Sequence, residues 1–333
     1  MHNNYKVYCF FMKLPFQHLL KASQFDPSLL KILFDEAREL ELRTKSLELR
    51  VKNSELRIEN FGDGKILATV FWEPSTRTRF SFETAMLKLG GKVISNYSME
   101  TSSSITKGET LYDTAKTISS FADIIAMRHP KEGAVAEFAK GSSVPVINAG
   151  DGSGDHPTQA LLDIYTIWKW RNYSDFKSAF GELTIGMVGD LKNSRVVHSQ
   201  IELLKFFGCK FILVAPNALK LPQKYKDLMK ENHCEFSETE NLEKVIGDFD
   251  VLSDTRIQQE RFESEEEFKK YRTFYQIDKK MMTKAKQEMI VIAPLPRFGE
   301  LLEEVDSDPR AKYFEQVRNG VIVRMALIKG MIK

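Results

Sequence analysis

Short apolar runs alternate with helical patterns along most of the chain. The run "KILATVFW", residues 65–72, leads into "SFETAMLKLGG", whose apolar positions have helical spacing and whose final glycines end the helix. The alternation continues through "DIIAM" and "VPVIN", and then through "LTIGMVGD", "CKFILVAP", "DVLSD" and "MIVIAP". Alternation of this kind predicts parallel sheets that are covered by helices on both faces.

The connecting region near residues 166–182 divides this pattern into two series. A chain of 333 residues is long for one core and suits two domains. We therefore predict an α/β fold of two doubly wound parallel-sheet domains, with the active site in the cleft between them. The predicted domains are 1–165 and 166–311, and a C-terminal helix, 312–333, is expected to pack back on the first domain.

Cationic and hydroxyl side chains collect directly after the predicted strands. In open α/β sheets, ligands bind at the carboxyl ends of the strands, where the chain turns into helices. Most of these turns carry an arginine, and a further one carries a histidine. Because guanidinium groups, hydroxyls and the N–H groups of a helix N-terminus favour anions, we predict a cleft for small, multiply anionic ligands. The candidate residues are Ser75, Thr76, Arg77, Thr78, Arg128, His156, Gln159, Arg195, Arg256, Gln258, Pro294 and Leu295.

Composition and missing motifs exclude several classes of protein. A net charge of +2 gives no reason to expect nucleic acid or membrane as a partner, and no apolar run reaches the roughly 18 residues of a membrane helix. The three cysteines form no CxxC pair, which argues against a disulfide framework and favours a reducing compartment. GxGxxG, GxxxxGK[ST], GxSxG and histidine-pair metal motifs are also missing. We expect no cofactor and no metal, which leaves a reaction that needs only positioning and charge stabilisation.

Six motifs occur in order and at familiar spacings: "STRTR" with "SFE", "MRHP", "NAGDG" with "HPTQ", "MVGDLKNSR", "TRIQ" and "PLPR". From about residue 15 to the C-terminus, the chain resembles the catalytic chains of the aspartate carbamoyltransferase (aspartate transcarbamoylase) family. The resemblance implies transfer of the carbamoyl group of carbamoyl phosphate to the α-amino group of L-aspartate, the committed step of pyrimidine biosynthesis. The substrate amine is then itself the nucleophile, so the protein need not supply one.

The resemblance also implies a role for each candidate residue. The residues expected to hold carbamoyl phosphate are Ser75, Thr76, Arg77, Thr78, Arg128, His156, Gln159, Pro294 and Leu295. Those expected to act in catalysis are Arg77, Thr78, Arg128 and His156. Those expected to bind the carboxylates of aspartate are Arg195, Arg256 and Gln258. Ser103 and Lys107 are expected to enter the site of a neighbouring subunit, which implies a homotrimer with shared active sites.

Two places depart from the pattern of this family. A histidine usually precedes "PLPR", where this chain has Ala293. An aromatic and an apolar residue usually precede Thr255, where this chain has Ser253 and Asp254. Because a carboxylate two residues before Arg256 could compete for its guanidinium or repel aspartate, we hypothesise weak aspartate affinity or an internal pairing of Arg256.

Three alternatives accompany this interpretation. Ornithine carbamoyltransferase shares the first domain, but a cationic pocket would repel the ammonium group of ornithine. A catalytically weakened or non-catalytic homologue is suggested by Ala293 and Asp254, whereas a nicotinamide-dependent dehydrogenase lacks its glycine fingerprint. A cytoplasmic location is expected, or an organellar one if the start, "MHNNYKVYCFFMK", belongs to a truncated targeting segment.

Overall fold

The computed structural model describes residues 12–48, 61–102, 107–258, 262, 264–272 and 274–332. The strands are β1 Ile66–Phe71, β2 Lys92–Asn96, β3 Ile124–His129, β4 Val146–Asp151, β5 Thr184–Gly189, β6 Lys210–Val214, β7 Phe236–Thr239, β8 Val251–Thr255 and β9 Ile290–Ile292. The helices are α1 Pro27–Glu48, α2 Thr76–Lys88, α3 Met99–Ser102, α4 Leu111–Ser119, α5 Ala134–Gly141, α6 Pro157–Trp170, α7 Phe176–Phe180, α8 Arg195–Leu204, α9 Gln223–Glu231, α10 Leu242–Val245, α11 Glu265–Tyr271, α12 Lys279–Met282 and α13 Tyr313–Met331.

The strands form two parallel sheets. The first has the order β2-β1-β3-β4, and the second has the order β7-β6-β5-β8-β9. In the first sheet β2 pairs with one edge of β1 and β3 with the other edge. In the second sheet β6 and β8 pair with opposite edges of β5. The strand order therefore reverses between β1 and β3 and again between β5 and β8, and a ligand crevice is expected at each of these points. The predicted fold of two parallel-sheet α/β domains is confirmed.

Local sequence accounts for the starts of two long helices. Asp26 caps α1 by accepting a hydrogen bond from the Leu29 N–H at 2.8 Å, and Pro27 occupies the first helical position. Pro157 begins α6 in the same way. The sequence pattern did not indicate β7, because its residues "FSET" contain no apolar run and lie at the edge of the sheet.

Helices connect the two sheets into one body. Helix α6 packs against α8, which begins after the first strand of the second sheet. Helix α13 packs against α1, α2 and α6, so the last helix of the chain covers helices that belong to the first sheet. Trp168 and Tyr165 of α6 are fully buried, and both rings pack against Phe34 of α1. Helix α6, which follows β4 of the first sheet and packs against α8 of the second, therefore connects the two sheets.

Gly189 permits two neighbouring strands of the second sheet, β5 and β8, to end close together. Its φ is +114°, a conformation that favours glycine. A Cβ at this position would lie 1.9 Å from the carbonyl oxygen of Thr255 in β8. Any side chain would force β5 and β8 apart at the point where the strand order reverses.

Candidate active site

The carboxyl ends of the two sheets face a common cavity of about 450 Å³. Its walls come from the carboxyl ends of β1, β3, β4, β5, β8 and β9, from the segments that follow them, and from α13. The structure therefore brings together side chains that are far apart in the sequence. The predicted residues that line the cavity are Ser75, Thr76, Arg77, Thr78, Arg128, His156, Gln159, Arg195, Arg256, Gln258, Pro294 and Leu295.

Positive groups dominate the cavity wall. Three helices begin at the cavity, α2, α6 and α8, and the positive dipole ends of these helices favour anions. Ser75 precedes α2 and makes no capping hydrogen bond, so its hydroxyl is not committed to the helix. The arginines of the wall are Arg77, Arg128, Arg195, Arg256, Arg297 and Arg324, and its carboxyl groups belong to Glu73, Asp254 and Glu300.

Glu73 holds two of these arginines in place. Arg128 Nε donates to Glu73 Oε1 at 2.6 Å, and Arg195 Nη2 lies 3.5 Å from the same oxygen. Arg195 Nη1 also donates to the carbonyl oxygen of Gly152 at 2.5 Å. Because Arg128 belongs to the first sheet and Arg195 to the first helix after β5, one carboxylate connects the two halves of the cavity.

Gly150 leaves room for the same two arginines. Its φ is +130°, and a Cβ there would lie 3.3 Å from Arg128 Nη1 and 3.4 Å from Arg195 Cζ. A larger residue at this position would be strained in its backbone and would displace both guanidinium groups.

Arg77 reaches across the cavity to the loop after β9. Its Nη2 donates to the carbonyl oxygen of Leu295 at 2.8 Å. Leu295 has a φ of +49°, which is uncommon for a residue with a side chain. Burial, and then the positive charges of Arg128 and Arg256, lower the pKa of the Arg77 guanidinium. An anion that binds beside Arg77 would relieve this repulsion.

His156 precedes α6 and is held as a neutral imidazole. Its side chain is 5% exposed, and its Nδ1 is buried without a hydrogen-bond partner among the described residues. Burial lowers the pKa of His156 well below its usual value, and the charges of Arg195 and Arg128 lower it further. A neutral imidazole can offer a hydrogen bond in the cavity without adding to its positive charge.

We expect His156 to remain neutral well below the ordinary histidine pKa, because protonation would place a buried cation beside arginines. Side-chain NMR of protein labelled with ¹⁵N-histidine measures this, and the His156→Gln variant identifies the signal. Titration of that signal at or above the ordinary pKa would contradict the expectation.

Asp163 of α6 orients Gln159 from beneath the cavity. Gln159 Nε2 and Gln316 Nε2 donate to Asp163 Oδ1 at 2.8 and 2.5 Å, and Gln200 Nε2 donates to Oδ2 at 2.7 Å. Because these amide nitrogens are committed to one carboxylate, the amide oxygens point elsewhere. Gln159 lines the cavity, so it is its oxygen, a hydrogen-bond acceptor, that is available to a ligand N–H.

The other two amides reach the positions where the sequence departs from the family's pattern. Gln200 Oε1 accepts a hydrogen bond from Ser253 Oγ at 3.0 Å, and Gln316 Oε1 accepts one from the Ala293 N–H at 2.9 Å. The buried network therefore connects α6, α8 and α13 with the ends of β8 and β9. The Ser253 hydroxyl extends this network, which an apolar residue could not do.

Arg324 of α13 supplies a buried positive charge to this network. Its Nη1 donates to Ser81 Oγ at 2.8 Å, and its Nη2 donates to Thr158 Oγ1 at 3.1 Å. Burial lowers the pKa of Arg324 to about 9, which keeps it protonated at neutral pH, while the Asp163 charge opposes the decrease. Burial raises the pKa of Asp163 to about 7, although hydrogen bonds from three glutamines oppose the increase.

Sequence reasoning overlooked Asp163, Arg324 and Glu300. Asp163 follows Gln159 by four residues in a helical segment, a spacing that places both on one helix face. Arg324 interrupts the apolar run "GVIVRMALI", and a lone charge in such a run indicates a buried, partnered group. Glu300 follows "PLPR" closely but has no comparable signal.

Ser103 and Lys107 are the two residues predicted to enter the active site of a neighbouring subunit. Ser103 lies outside the described residues. Lys107 is exposed and does not line the cavity described above; it lines a second cavity, of about 580 Å³, beside Thr69 and Ser95 of the first sheet. Within one chain, the structure therefore does not bring Lys107 to the arginines.

The described part of the chain shows neither a metal-binding cluster nor a membrane-spanning helix. No group of three or more His, Cys, Asp or Glu side chains there is arranged to hold a metal ion. None of its helices is both long and apolar enough to cross a membrane. Cys209 and Cys234 are buried and are not joined in a disulfide.

Comparison with known families agrees with this geometry. Residues 17–169 match the family "Aspartate/ornithine carbamoyltransferase, carbamoyl-P binding domain". Residues 181–331 match "Aspartate/ornithine carbamoyltransferase, Asp/Orn binding domain". The two matched segments coincide with the two series of strands and cover most of the chain.

Individual relatives indicate which members of this family the chain resembles. The chain is 51% identical over 271 residues to an aspartate carbamoyltransferase catalytic subunit from Clostridium novyi, covering 81% of this chain and 86% of the relative. It is 45% identical to that of Clostridium botulinum, covering 95% of this chain and 98% of the relative.

Solved structures give the same result. The catalytic subunit of M. jannaschii aspartate transcarbamoylase superposes with a TM-score of 0.83 at 42% identity, covering 95% of this chain and 98% of that one. Aspartate transcarbamoylase from Trypanosoma cruzi, in complex with carbamoyl phosphate and aspartate, superposes with a TM-score of 0.85 at 36% identity, covering 97% and 98%. The chain therefore belongs to the aspartate/ornithine carbamoyltransferase family and, within it, to the catalytic chains of the aspartate carbamoyltransferases.

Proposed function

We propose that the chain transfers the carbamoyl group of carbamoyl phosphate to the amino group of L-aspartate, giving N-carbamoyl-L-aspartate and phosphate, the committed step of pyrimidine biosynthesis. The observation that carries this proposal is a single cavity in which arginines from the strand ends of two sheets face one another. Such a cavity suits two anionic substrates that must meet. The relatives named above support aspartate, and not ornithine, as the acceptor.

The first sheet would hold the donor substrate. The phosphate would lie at the N-terminus of α2, where the residues from Ser75 to Thr78 offer hydroxyls, N–H groups and the Arg77 guanidinium. Arg128, held by Glu73, would bridge the phosphate and the carbonyl oxygen. The carbamoyl NH₂ would donate to the Gln159 oxygen and to the backbone carbonyls of Pro294 and Leu295.

The second sheet would hold the acceptor. Arg195, Arg256 and Gln258 would bind the two carboxylates of aspartate and direct its amine toward the carbonyl carbon. The amine nitrogen attacks this carbon, the bond to the phosphate oxygen breaks, and the amine proton leaves with the phosphate. Arg128, Thr78 and neutral His156 would stabilise the negative charge that develops on the carbonyl oxygen.

A homotrimer with shared sites is part of the proposal, with domain limits at residues 1–165 and 166–311. Lys107 lies outside its own chain's arginine cavity, which fits a role in a neighbouring site. Ile94, Tyr97 and Phe121, near the second cavity, are large apolar residues exposed by 42%, 64% and 61%. Exposed apolar side chains of this size favour burial against another subunit.

The purified protein is expected to form carbamoyl aspartate from carbamoyl phosphate and L-aspartate, and not to use L-ornithine. In Arg256→Gln, the KM for aspartate should rise by about 10- to 100-fold, because a charge-assisted hydrogen bond to a carboxylate is lost. The KM for carbamoyl phosphate should stay within about threefold of the wild-type value, since Arg256 follows β8 of the other sheet.

Steady-state kinetics with each substrate varied in turn provides both constants. No product from the wild-type protein at saturating substrates would favour the non-catalytic alternative. An unchanged aspartate KM in Arg256→Gln would contradict the proposed acceptor site.

A further inference from the structure

Two buried carboxyl groups lie at the acceptor end of the cavity, and the proposed function gives neither a role. Asp254 is 3% exposed and Glu300 is 6% exposed, and both line the cavity. Asp254 precedes Arg256 by two residues, and Glu300 follows Arg297 by three. Negative groups among arginines that bind anions would weaken that binding, so their presence calls for an explanation.

The pairing of β8 surrounds Asp254 with uncharged strand neighbours. Its register partner in β5 is Val188. Ser253 pairs with Ile292, so the residue beside Asp254 at the end of β9 is Ala293. Since neither strand neighbour can neutralise a carboxylate, the groups that act on Asp254 must come from the cavity and its loops.

Glu300 is the charged neighbour that acts on Asp254. Burial raises the pKa of Asp254 well above its usual value, and the negative charge of Glu300 raises it further. Burial also raises the pKa of Glu300, although a hydrogen bond from the Phe298 N–H, at 2.8 Å, and the charges of Arg256 and Arg297 oppose this. Two such carboxyl groups resist double ionisation and titrate together, so the pair holds one proton to a higher pH than isolated carboxyl groups do.

We propose that Asp254 and Glu300 form a carboxyl pair that makes acceptor binding depend on a proton: a dicarboxylate binds while the pair holds its proton and is repelled once both groups are ionised. The proposal rests on the proposed binding of the acceptor by Arg256. With one proton, the pair offers an O–H donor to an acceptor carboxylate. Without it, two negative charges offset Arg256 and Arg297 and leave little attraction for a dianion. The other charged or titratable side chains in the cavity wall are Glu73, Arg77, Arg128, His156, Arg195 and Arg324.

The binding of succinate tests this proposal in the intact enzyme. Succinate has the two carboxylates of aspartate without the amine, whose own ionisation would alter the aspartate KM with pH. Its inhibition constant against aspartate, at saturating carbamoyl phosphate, is measured between about pH 7 and pH 9, where free carboxylates are fully ionised. In the wild-type protein the constant should rise with pH, approaching about tenfold per unit once the pair loses its proton.

Three variants separate the carboxyl pair from general effects of pH. In Asp254→Asn the inhibition constant should be almost independent of pH and lower than the wild-type value at high pH. In Glu300→Gln the pH-dependent rise should move to lower pH, because Asp254 no longer has a negative neighbour. Asp250→Asn is the matched control: Asp250 lies at the opposite end of the same strand, where it accepts from the Thr184 N–H and pairs with Lys286. It should keep the wild-type pH dependence.

A wild-type constant that varies no more with pH than that of Asp254→Asn would overturn the proposal, and so would a loss of pH dependence in Asp250→Asn. If Asp254→Asn does not fold, the shift in Glu300→Gln decides the question alone. Succinate binding that is unaffected by Arg256→Gln would overturn the acceptor site itself. Weak binding in Arg256→Gln together with a flat wild-type profile would overturn only the carboxyl pair.

Discussion

Replacing Arg128 with alanine is expected to lower kcat by about 10²- to 10³-fold, the cost of removing one group that stabilises a developing oxyanion. Arg128 leaves β3 at the point where the strand order reverses, and Glu73 fixes its guanidinium at 2.6 Å. A group held this firmly contributes its charge without reorganising during the reaction. Initial rates at saturating substrates measure kcat.

Two further variants test whether the loss of kcat is specific to the guanidinium group of Arg128. Arg128→Lys keeps the charge but not the planar fork that can face phosphate and carbonyl together, so an intermediate loss is expected. Arg38→Ala removes an exposed arginine of α1, which packs on Tyr173 outside the cavity, and should retain wild-type kcat. A loss below about tenfold in Arg128→Ala would show that Arg128 does not stabilise the oxyanion.

Asp163→Asn is expected to lower the free energy of unfolding by about 1 to 3 kcal/mol, the usual cost of leaving a buried hydrogen-bond donor unsatisfied. The substitution keeps the size of the side chain but places an NH₂ group against the amide of Gln200 or Gln316. It also removes the negative charge that balances buried Arg324. Urea unfolding at about pH 8, above the Asp163 pKa of about 7, measures the effect with the carboxylate ionised.

The matched control is Glu137→Gln, which neutralises an exposed carboxylate whose partner, Lys140, is also exposed. Its stability should be almost unchanged, because exposed ion pairs contribute little. If Asp163→Asn costs less than about 1 kcal/mol, the three glutamines can satisfy one another and Asp163 is not the centre of the network.

Asp163→Asn should also raise the KM for carbamoyl phosphate, because Gln159 would no longer be held with its oxygen toward the cavity. An unchanged KM would place the effect of Asp163 in stability alone.

The strand ends were the most predictable part of the site. Apolar runs located most of the strands, and the rule that ligands bind at carboxyl ends then selected Arg128, Arg195 and Arg256 without any knowledge of the sheet order. Strand β7 was missed because an exposed edge strand with the sequence "FSET" carries no periodic apolar signal. Local patterns locate strands that contain an apolar run, and β7 contains none.

The groups behind the cavity wall were less predictable, for a different reason. Asp163 contacts glutamines 4, 37 and 153 residues away in the sequence, and only the first of these separations has a helical meaning. The pairing of Asp254 with Glu300 likewise depends on how the loop after β9 returns to the cavity. Sequence reasoning noticed Asp254 and expected it to act on Arg256, whereas the structure adds Glu300 as the carboxyl group that acts on Asp254.

The division of one cavity between two sheets has a consequence for how acceptor specificity can evolve. The groups proposed for the phosphate and carbonyl come chiefly from the turns of the first sheet, and those proposed for the acceptor come from the turns after β5 and β8. Mutations in the turns after β5 and β8 can therefore accumulate while selection on the carbamoyl phosphate site of the first sheet is unchanged. Gene duplication followed by divergence of those turns alone would be enough to produce a carbamoyltransferase for a different amine.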